Sequence, residues 1–287
     1  MMLSRRALAF GFIVPALQGQ NRAPGMFANA EAYERFMGRW SHAVARPLLE
    51  FATLPEAGRI LDVGCGTGSL AVAIAERYSR AAIDGIDPSS EYVAYASAKN
   101  PFSNRVSFEI GDAQQLHFED ASFDGAASLL VFNFIPDPGK ALREVCRVTR
   151  PGGVISAAVW DYGAGMRMLR VFWDAAVALN AAAEKVDEKH MPLCRSGELS
   201  DLWRRSGLQD IREQSINVNM RFESFADYWE PFLLGQGPAG AYVRSLDRGG
   251  VVALRDEVRR RLTLGESLQL DLPARAWAVR GIVPRRD

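Results

Sequence analysis

The chain has 287 residues, 48% of them hydrophobic and 24% charged, enough for one large or two modest domains with a sizeable core. Its 34 Lys and Arg balance 34 Asp and Glu, so the basic excess of a protein that grips nucleic acid through phosphate is missing. Cys65, Cys146 and Cys194 are far apart and odd in number, which fits neither a disulfide framework nor a zinc site and points to a reducing compartment.

Residues 1–25 stand apart from the rest of the chain. Ser4-Arg5-Arg6 precedes an apolar run, Ala7 to Leu17, that is too short to span a bilayer. The expectation is an extension left by an upstream start or loosely attached, with an export leader as the alternative. Residues 26–58 read as a helical cap. From Arg59 the pattern alternates short strands with helices, the mark of a parallel sheet with crossover connections. Strands are expected at Arg59–Val63, Ala81–Ile86, Val106–Ile110, Phe123–Val131 and Val154–Trp160. Helices are expected at Ser69–Tyr78, from the Ser89 cap to Lys99, and from Asp137-Pro138 until Pro151-Gly152-Gly153 breaks the run.

Beyond Trp160 the pattern gives helices at Met166–Lys185 and Glu198–Ser206, the second closed by Gly207, and a strand at Ile211–Asn219. An aromatic segment and a further helix fill Phe222 to Leu264, and Leu268–Val279 reads as a last strand, returning hairpin-fashion and so antiparallel. The fold class is therefore α/β: a doubly wound, mostly parallel seven-stranded sheet with an antiparallel last strand and helical lid insertions. Residues 59–160 form its core, and residues 161–287 the lid helices and closing strands.

The densest local signal is Asp62-Val63-Gly64-Cys65-Gly66-Thr67-Gly68, a strand running into a glycine turn that opens a helix. Glycines belong where a backbone must turn tightly and come close to a ligand. A nicotinamide-dinucleotide fingerprint, G-x-G-x-x-G, would need its third glycine at Ser69. Here the glycines fall at 64, 66 and 68 instead. A carboxylate, Asp87, closes the second strand about 20 residues beyond the turn, where an acidic side chain can take both hydroxyls of a ribose. Asp84 competes for that role but lies inside the strand.

Asp62 to Gly68 closely resembles motif I of the class I S-adenosylmethionine (SAM)-dependent methyltransferases. The resemblance implies SAM as cofactor, with its methionine part and ribose wrapped by Asp62, Gly64, Cys65, Gly66 and Thr67. It continues in register. Gly85-Ile86-Asp87-Pro88 resembles the ribose station, with Asp87 and Pro88 as contacts, and Gly111-Asp112-Ala113 the adenine station, with Asp112 facing the exocyclic amine. Leu129 lies where the family often touches the cofactor. Ala32 to Ser41 is similar to the entry segment of the ubiquinone/menaquinone biosynthesis group, which folds over the cofactor. Tyr33 and Trp40 would then present aromatic faces to the sulfonium, or else merely pack a helix.

The bland readings stand beside these. Asp87 and Asp112 can cap turns. Cys65 has no partner pattern for a nucleophile, so a backbone contact is preferred, and His42, His117 and His190 lack metal-ligand spacing. Methyl transfer is an in-line displacement that relies on alignment, with a general base only for a poor nucleophile. No catalytic residue is assigned. Asn133, Trp160, Tyr162, Tyr228 and Trp229 are candidates. The aromatic set Phe172, Trp173, Phe222, Phe225, Tyr228, Trp229 and Phe232 serves either an apolar acceptor or the core, the core being slightly preferred.

The expected function is methyl transfer from SAM to a small-molecule acceptor in the cytoplasm, without metal, nucleic acid or membrane span, with a homodimer left open. A non-catalytic SAM binder is the alternative, and a nicotinamide-dependent oxidoreductase ranks behind it. A base-amine methyltransferase would want a Pro-Pro-aromatic turn where this chain reads Asn133-Phe134-Ile135-Pro136.

Overall fold

The computed structural model describes residues 29–262 and 269–285, so the extension expected at 1–25 lies outside the described residues. The described chain opens with a short helix α1 (Ala30–Tyr33), capped by the Asn29 side chain accepting from the Ala32 amide. One π-helical turn (Glu34–Gly38) joins α1 to α2 (Arg39–Ala52). Such a turn inserts an extra residue per cycle and rotates the side chains beyond it. Here Phe36 and Met37 fall toward a cavity at the carboxyl ends of the strands.

The alternating segment runs as β1 (Ala57–Val63), α3 (Ser69–Arg77), β2 (Arg80–Asp87), α4 (Ser90–Lys99), β3 (Val106–Ile110), β4 (Phe123–Leu129), α5 (Pro138–Val148) and β5 (Thr149–Trp160). Ile60, Leu61 and Val63 on β1 are almost fully buried, as a strand covered on both faces requires. Helix α5 starts as its sequence dictates, with Asp137 accepting from the Lys140 amide and Pro138 in the first turn. Its buried Ala141, Leu142, Val145 and Val148 keep helical spacing. Pro151-Gly152-Gly153 lies inside β5 rather than in a turn ahead of it. Thr149 already pairs with Phe123, and an irregularity absorbs the Pro-Gly-Gly stretch before Val154 pairs with Gly125.

After β5 come α6 (Arg167–Leu179), α7 (Glu198–Arg205), β6 (Gln209–Phe222), α8 (Phe225–Leu233), α9 (Gly237–Ser245), α10 (Arg248–Leu262) and β7 (Leu270–Ile282). The expected helix to Lys185 stops early. Asn180 turns extended, accepts from the Ala182 amide and starts a 3-10 segment, Ala181–Val186, with a second one at Glu188–His190. The sheet order is β3-β2-β1-β4-β5-β7-β6. The first five strands are parallel, and β7 runs antiparallel to both β5 and β6. The last strand is thus antiparallel as expected. Yet it is inserted between its neighbours after three helices rather than returned by a tight hairpin, because β5 and β6 both leave an edge that only an intervening strand can pair.

The N-terminal helical segment and helix α8 pack on each other. Phe36 meets Phe232 edge-on at 5.2 Å, and Arg39 Nη1 donates to Asp227 at 3.0 Å. Among the described residues no helix is long and apolar enough to cross a membrane, and no cluster of His, Cys, Asp and Glu could hold a metal ion.

Candidate functional site

Strand order reverses between β1 and β4, and in open α/β sheets that switch point, beyond the carboxyl ends of the strands, is where a crevice opens. A cavity of about 410 Å³ lies there. It is lined by the turn after β1, the ends of β2, β4 and β5, and the π turn of the cap. A second hollow of about 180 Å³ adjoins it, sharing Gly64, Asp87, Pro88 and Val131, and continues to Asp112, Ala113 and Ile135.

The glycine turn has the backbone its sequence demands. Gly64 has φ +70°, and a Cβ built there would stand 2.5 Å from Val131 Cγ1. Gly66 has φ +52°, and a Cβ there would meet nothing within 4 Å. Residue 64 must therefore be glycine for both conformation and space, while residue 66 leaves bare backbone beside an open hollow. Asp87 braces the turn. Its Oδ2 accepts from the Gly66 amide at 3.1 Å and its Oδ1 from the Ser89 amide at 2.9 Å. Asp84, the competitor, is engaged elsewhere, bonded to Arg59 at 2.7 Å and Ser107 at 3.0 Å.

Of the residues singled out in the sequence, Gly64, Cys65, Gly66, Thr67, Asp87, Pro88 and Leu129 line the larger cavity, and Asp112 and Ala113 the smaller. Asp112 also holds its own turn, accepting from the Gln114 amide at 2.8 Å. Asp62 lines neither. It is fully buried beneath the turn, and neither oxygen has a hydrogen-bond partner among the described residues. Burial pushes its carboxyl up to about 8. The Ala71 amide, facing it without reaching full hydrogen-bond geometry, opposes that shift, and the charge of Asp87 adds to it. Cys65 is buried as well, and burial, then Asp62 and Asp87, drive its thiol up, so no thiolate nucleophile forms. Its amide instead donates to the Ile86 carbonyl at 2.8 Å.

The structure divides the aromatic candidates. Tyr33 lines the cavity, tilted against Tyr92 at 5.3 Å and bonded to Ser41 at 3.3 Å, and burial pushes its phenol up to about 12. Trp40 turns into the core against Phe222. Trp160 and Tyr162, at and just past the end of β5, line the cavity. Asn133 does not, and bonds Met191 Sδ at 3.3 Å. Tyr228 is core, its hydroxyl on the Met168 carbonyl at 2.8 Å, and Trp229 stacks on Phe225. Phe172, Trp173, Phe222 and Phe232 are core too, with Phe172 stacked on Phe232 at 4.6 Å, while Phe225 is half-buried against that core.

Two cavity features carry no signal in the sequence motifs. Leu130 holds φ +64°, fixed by its amide bonding to the Ala158 carbonyl at 2.8 Å, a strained left-handed residue at the cavity wall. Glu188, in a 3-10 turn after α6, is 5% exposed and lines the cavity, its Oε2 accepting from Trp173 Nε1 at 2.8 Å. The only hint of Glu188 in the sequence is an acidic pair, Asp187-Glu188, just past a stretch with helical patterning.

Residues 61–157 match the family model for a methyltransferase domain. The chain is 33% identical over 125 residues to a 2-methyl-6-phytyl-1,4-hydroquinone methyltransferase of Synechocystis, covering 44% of this chain and 39% of that protein. It is 33% identical over 149 residues to a 27-O-demethylrifamycin SV methyltransferase of Amycolatopsis mediterranei, covering 50% and 53%. With the ubiquinone/menaquinone C-methyltransferase UbiE of Bdellovibrio bacteriovorus it shares 32% over 115 residues, covering 40% and 49%. The chain thus spans about half the length, or less, of these curated relatives.

Among solved structures, the Haemonchus contortus phosphoethanolamine N-methyltransferase 2 with S-adenosylhomocysteine superposes at TM-score 0.57 and 19% identity, over 92% of this chain and 59% of that one. The [4+2]-cyclase SpnF superposes at 0.52 and 21%, over 85% and 82%. At such identities the likeness concerns the fold alone. Residues 61–157 are thus similar to a methyltransferase domain, and the chain shares its overall fold with these solved structures.

Proposed function

We propose that this protein binds SAM and transfers its methyl group to a small-molecule acceptor by in-line displacement. The observation that carries the reading is the continuity of one cavity. It runs from the bare glycine turn and Asp87 to a second wall of Tyr33, Phe36, Met37, Trp160 and Tyr162. A donor held at the first end would have its reacting group inside the same cavity as an acceptor at the second.

The residues present suit SAM. Gly66, at positive φ, leaves bare backbone where the methionine part and ribose would lie, and the Asp87 carboxylate stands beside it, able to take ribose hydroxyls. Asp112 and Ala113 offer a rim for the adenine in the adjoining hollow. SAM supplies an activated methyl group. The protein's task is then to align acceptor and donor and to keep water out. In this reading Gly64, Cys65, Gly66, Thr67, Asp87, Pro88, Asp112, Ala113 and Leu129 contact the cofactor, and Asp62 supports the turn from beneath. Residues 26–58 act as a cap over residues 59–160, and residues 161–287 provide the lid and closing strands. The balanced charge and the apolar cavity favour a small acceptor over nucleic acid. The cytoplasm, where SAM is made, is the proposed location.

Calorimetry with SAM and with S-adenosylhomocysteine, with NAD as control, tests the reading. Binding of both adenosyl compounds and none of NAD is expected, along with methyl transfer to a member of an aromatic and hydroxylated acceptor panel. Binding without transfer to any acceptor would favour a non-catalytic SAM binder. No binding by folded protein would sink the proposal.

A further inference from the structure

Resting on the methyltransferase reading, we propose that Glu188 is the proton acceptor of the acceptor end of the cavity, and that the acceptor presents a hydroxyl to it. The geometry comes first. Helix α6 clamps two neighbouring residues of the turn from two positions three apart: Arg170 bonds Asp187, and Trp173 bonds Glu188. Arg170 Nη1 also donates to the Tyr162 carbonyl at 3.2 Å, so one arginine ties the Glu188 turn to the end of β5. Glu188 is thereby fixed at the wall of the cavity that Tyr162 and Trp160 also line. Its Oε2 is occupied by the indole. Its Oε1 has no hydrogen-bond partner among the described residues and is not sealed off by protein atoms, which leaves it to the cavity.

A purely structural role explains this poorly. The Trp173 N–H needs only an acceptor oxygen, which a glutamine amide would supply without the cost of burying an ionisable carboxyl. The surroundings also tune it. Burial pushes the Glu188 carboxyl up to about 7; the Trp173 bond opposes the shift, Asp187 adds to it and Arg170 subtracts. Tyr162 and Cys194 also sense its charge, and burial holds both well above their ordinary range. A carboxyl balanced near neutrality can take a proton without being permanently protonated.

The chemistry favours a hydroxyl. A cationic amine would pair with Glu188 as an ammonium and have no lone pair to offer, and a thioether or tertiary amine has no proton to give. For a hydroxyl, the acceptor oxygen forms the new C–O bond to the methyl carbon. The C–S bond breaks with its electron pair staying on sulfur, and the O–H proton passes to Glu188 Oε1. The products are a methyl ether, S-adenosylhomocysteine and a protonated Glu188 that later returns its proton to solvent.

The test uses the full chain saturated with S-adenosylhomocysteine, following the Trp173 indole N–H resonance from about pH 5 to about pH 9. One titration near neutrality is expected, absent in Glu188→Gln. With labelled SAM and a panel of phenols and alcohols, Glu188→Gln should keep donor affinity within about threefold but lose roughly 10²–10⁴-fold in transfer rate. Trp173→Phe should move the acid limb of the pH–rate profile upward, since it removes the bond that lowers the carboxyl. A resonance that does not titrate, hydroxyl transfer undiminished in Glu188→Gln, or turnover confined to acceptors without an exchangeable proton would each overturn the proposal. Wild-type protein that fails to bind S-adenosylhomocysteine would instead overturn the methyltransferase reading on which it rests.

Discussion

One nitrogen of Arg170, Nη2, meets both carboxylate oxygens of Asp187 at 2.7 Å, in a pair that is all but sealed from solvent. It joins α6 to the turn that carries Glu188, and through the second guanidinium nitrogen it also reaches the end of β5. Two charges this deep are costly to desolvate, so the pair holds only while both partners are present. Arg170→Met should cost about 3–5 kcal/mol of stability by stranding Asp187. The double substitution Arg170→Met with Asp187→Leu should recover a large part of that loss. Urea unfolding of the three proteins checks both expectations, and additive losses would count against a coupled pair.

Asp87 and Asp84 lie three residues apart on β2 but do different work. Asp87→Asn should weaken SAM binding by about 10- to 100-fold, the loss expected when a charged acceptor of hydrogen bonds becomes neutral. Asp84→Asn, which touches Arg59 and Ser107 away from the cavity, should leave binding within about twofold. Calorimetry on both variants is decisive, because equal losses would mean that Asp87 acts only by bracing the fold.

The two glycines separate stability from binding. Gly64→Ala forces a Cβ against Val131 at positive φ, and should lower stability by roughly 1–3 kcal/mol. Gly66→Ala meets no protein atom, so its folding cost should stay near 1–2 kcal/mol, the strain of a left-handed residue. Its methyl group would nonetheless project where the cofactor is proposed to lie. Thermal melting with and without S-adenosylhomocysteine should show Gly66→Ala losing most of the ligand-induced stabilisation.

Asp62 makes the ligand-free protein sensitive to alkali. Its carboxyl is raised in the folded state, to about 8. The folded chain therefore holds a proton that the unfolded chain has already released. The stability this proton contributes is full below the ordinary carboxylate pKa, and is lost as pH rises through the folded value. The slope is at most about 1.4 kcal/mol per pH unit for one group. Asp62→Asn should flatten that decline. Urea midpoints between mildly acidic and mildly alkaline pH give the comparison, and parallel curves would show that Asp62 is not the source.

Local patterning was sufficient wherever a short stretch of chain sets its own conformation. The order of β1 to β5, the capped start of α5 and the glycine turn were all readable, because apolar spacing, Asp137-Pro138 and positive-φ glycines act over a few residues. The place of Asp87 at the end of β2, beside the glycine turn, was readable for the same reason, whereas its bond to the Gly66 amide was not. What depends on distant packing was not. The insertion of β7 between β5 and β6 depends on which sheet edge is free, and no local signal records that. Tyr33 and Trp40 were indistinguishable as aromatic side chains in one helical segment until the π turn and Phe222 set one in the cavity and one in the core. Asp62 carries a motif residue's identity, yet tertiary burial places it under the turn rather than in the cavity. Glu188 owes its place entirely to contacts from α6, since a carboxylate gains a buried, cavity-facing position only when other elements fix it there.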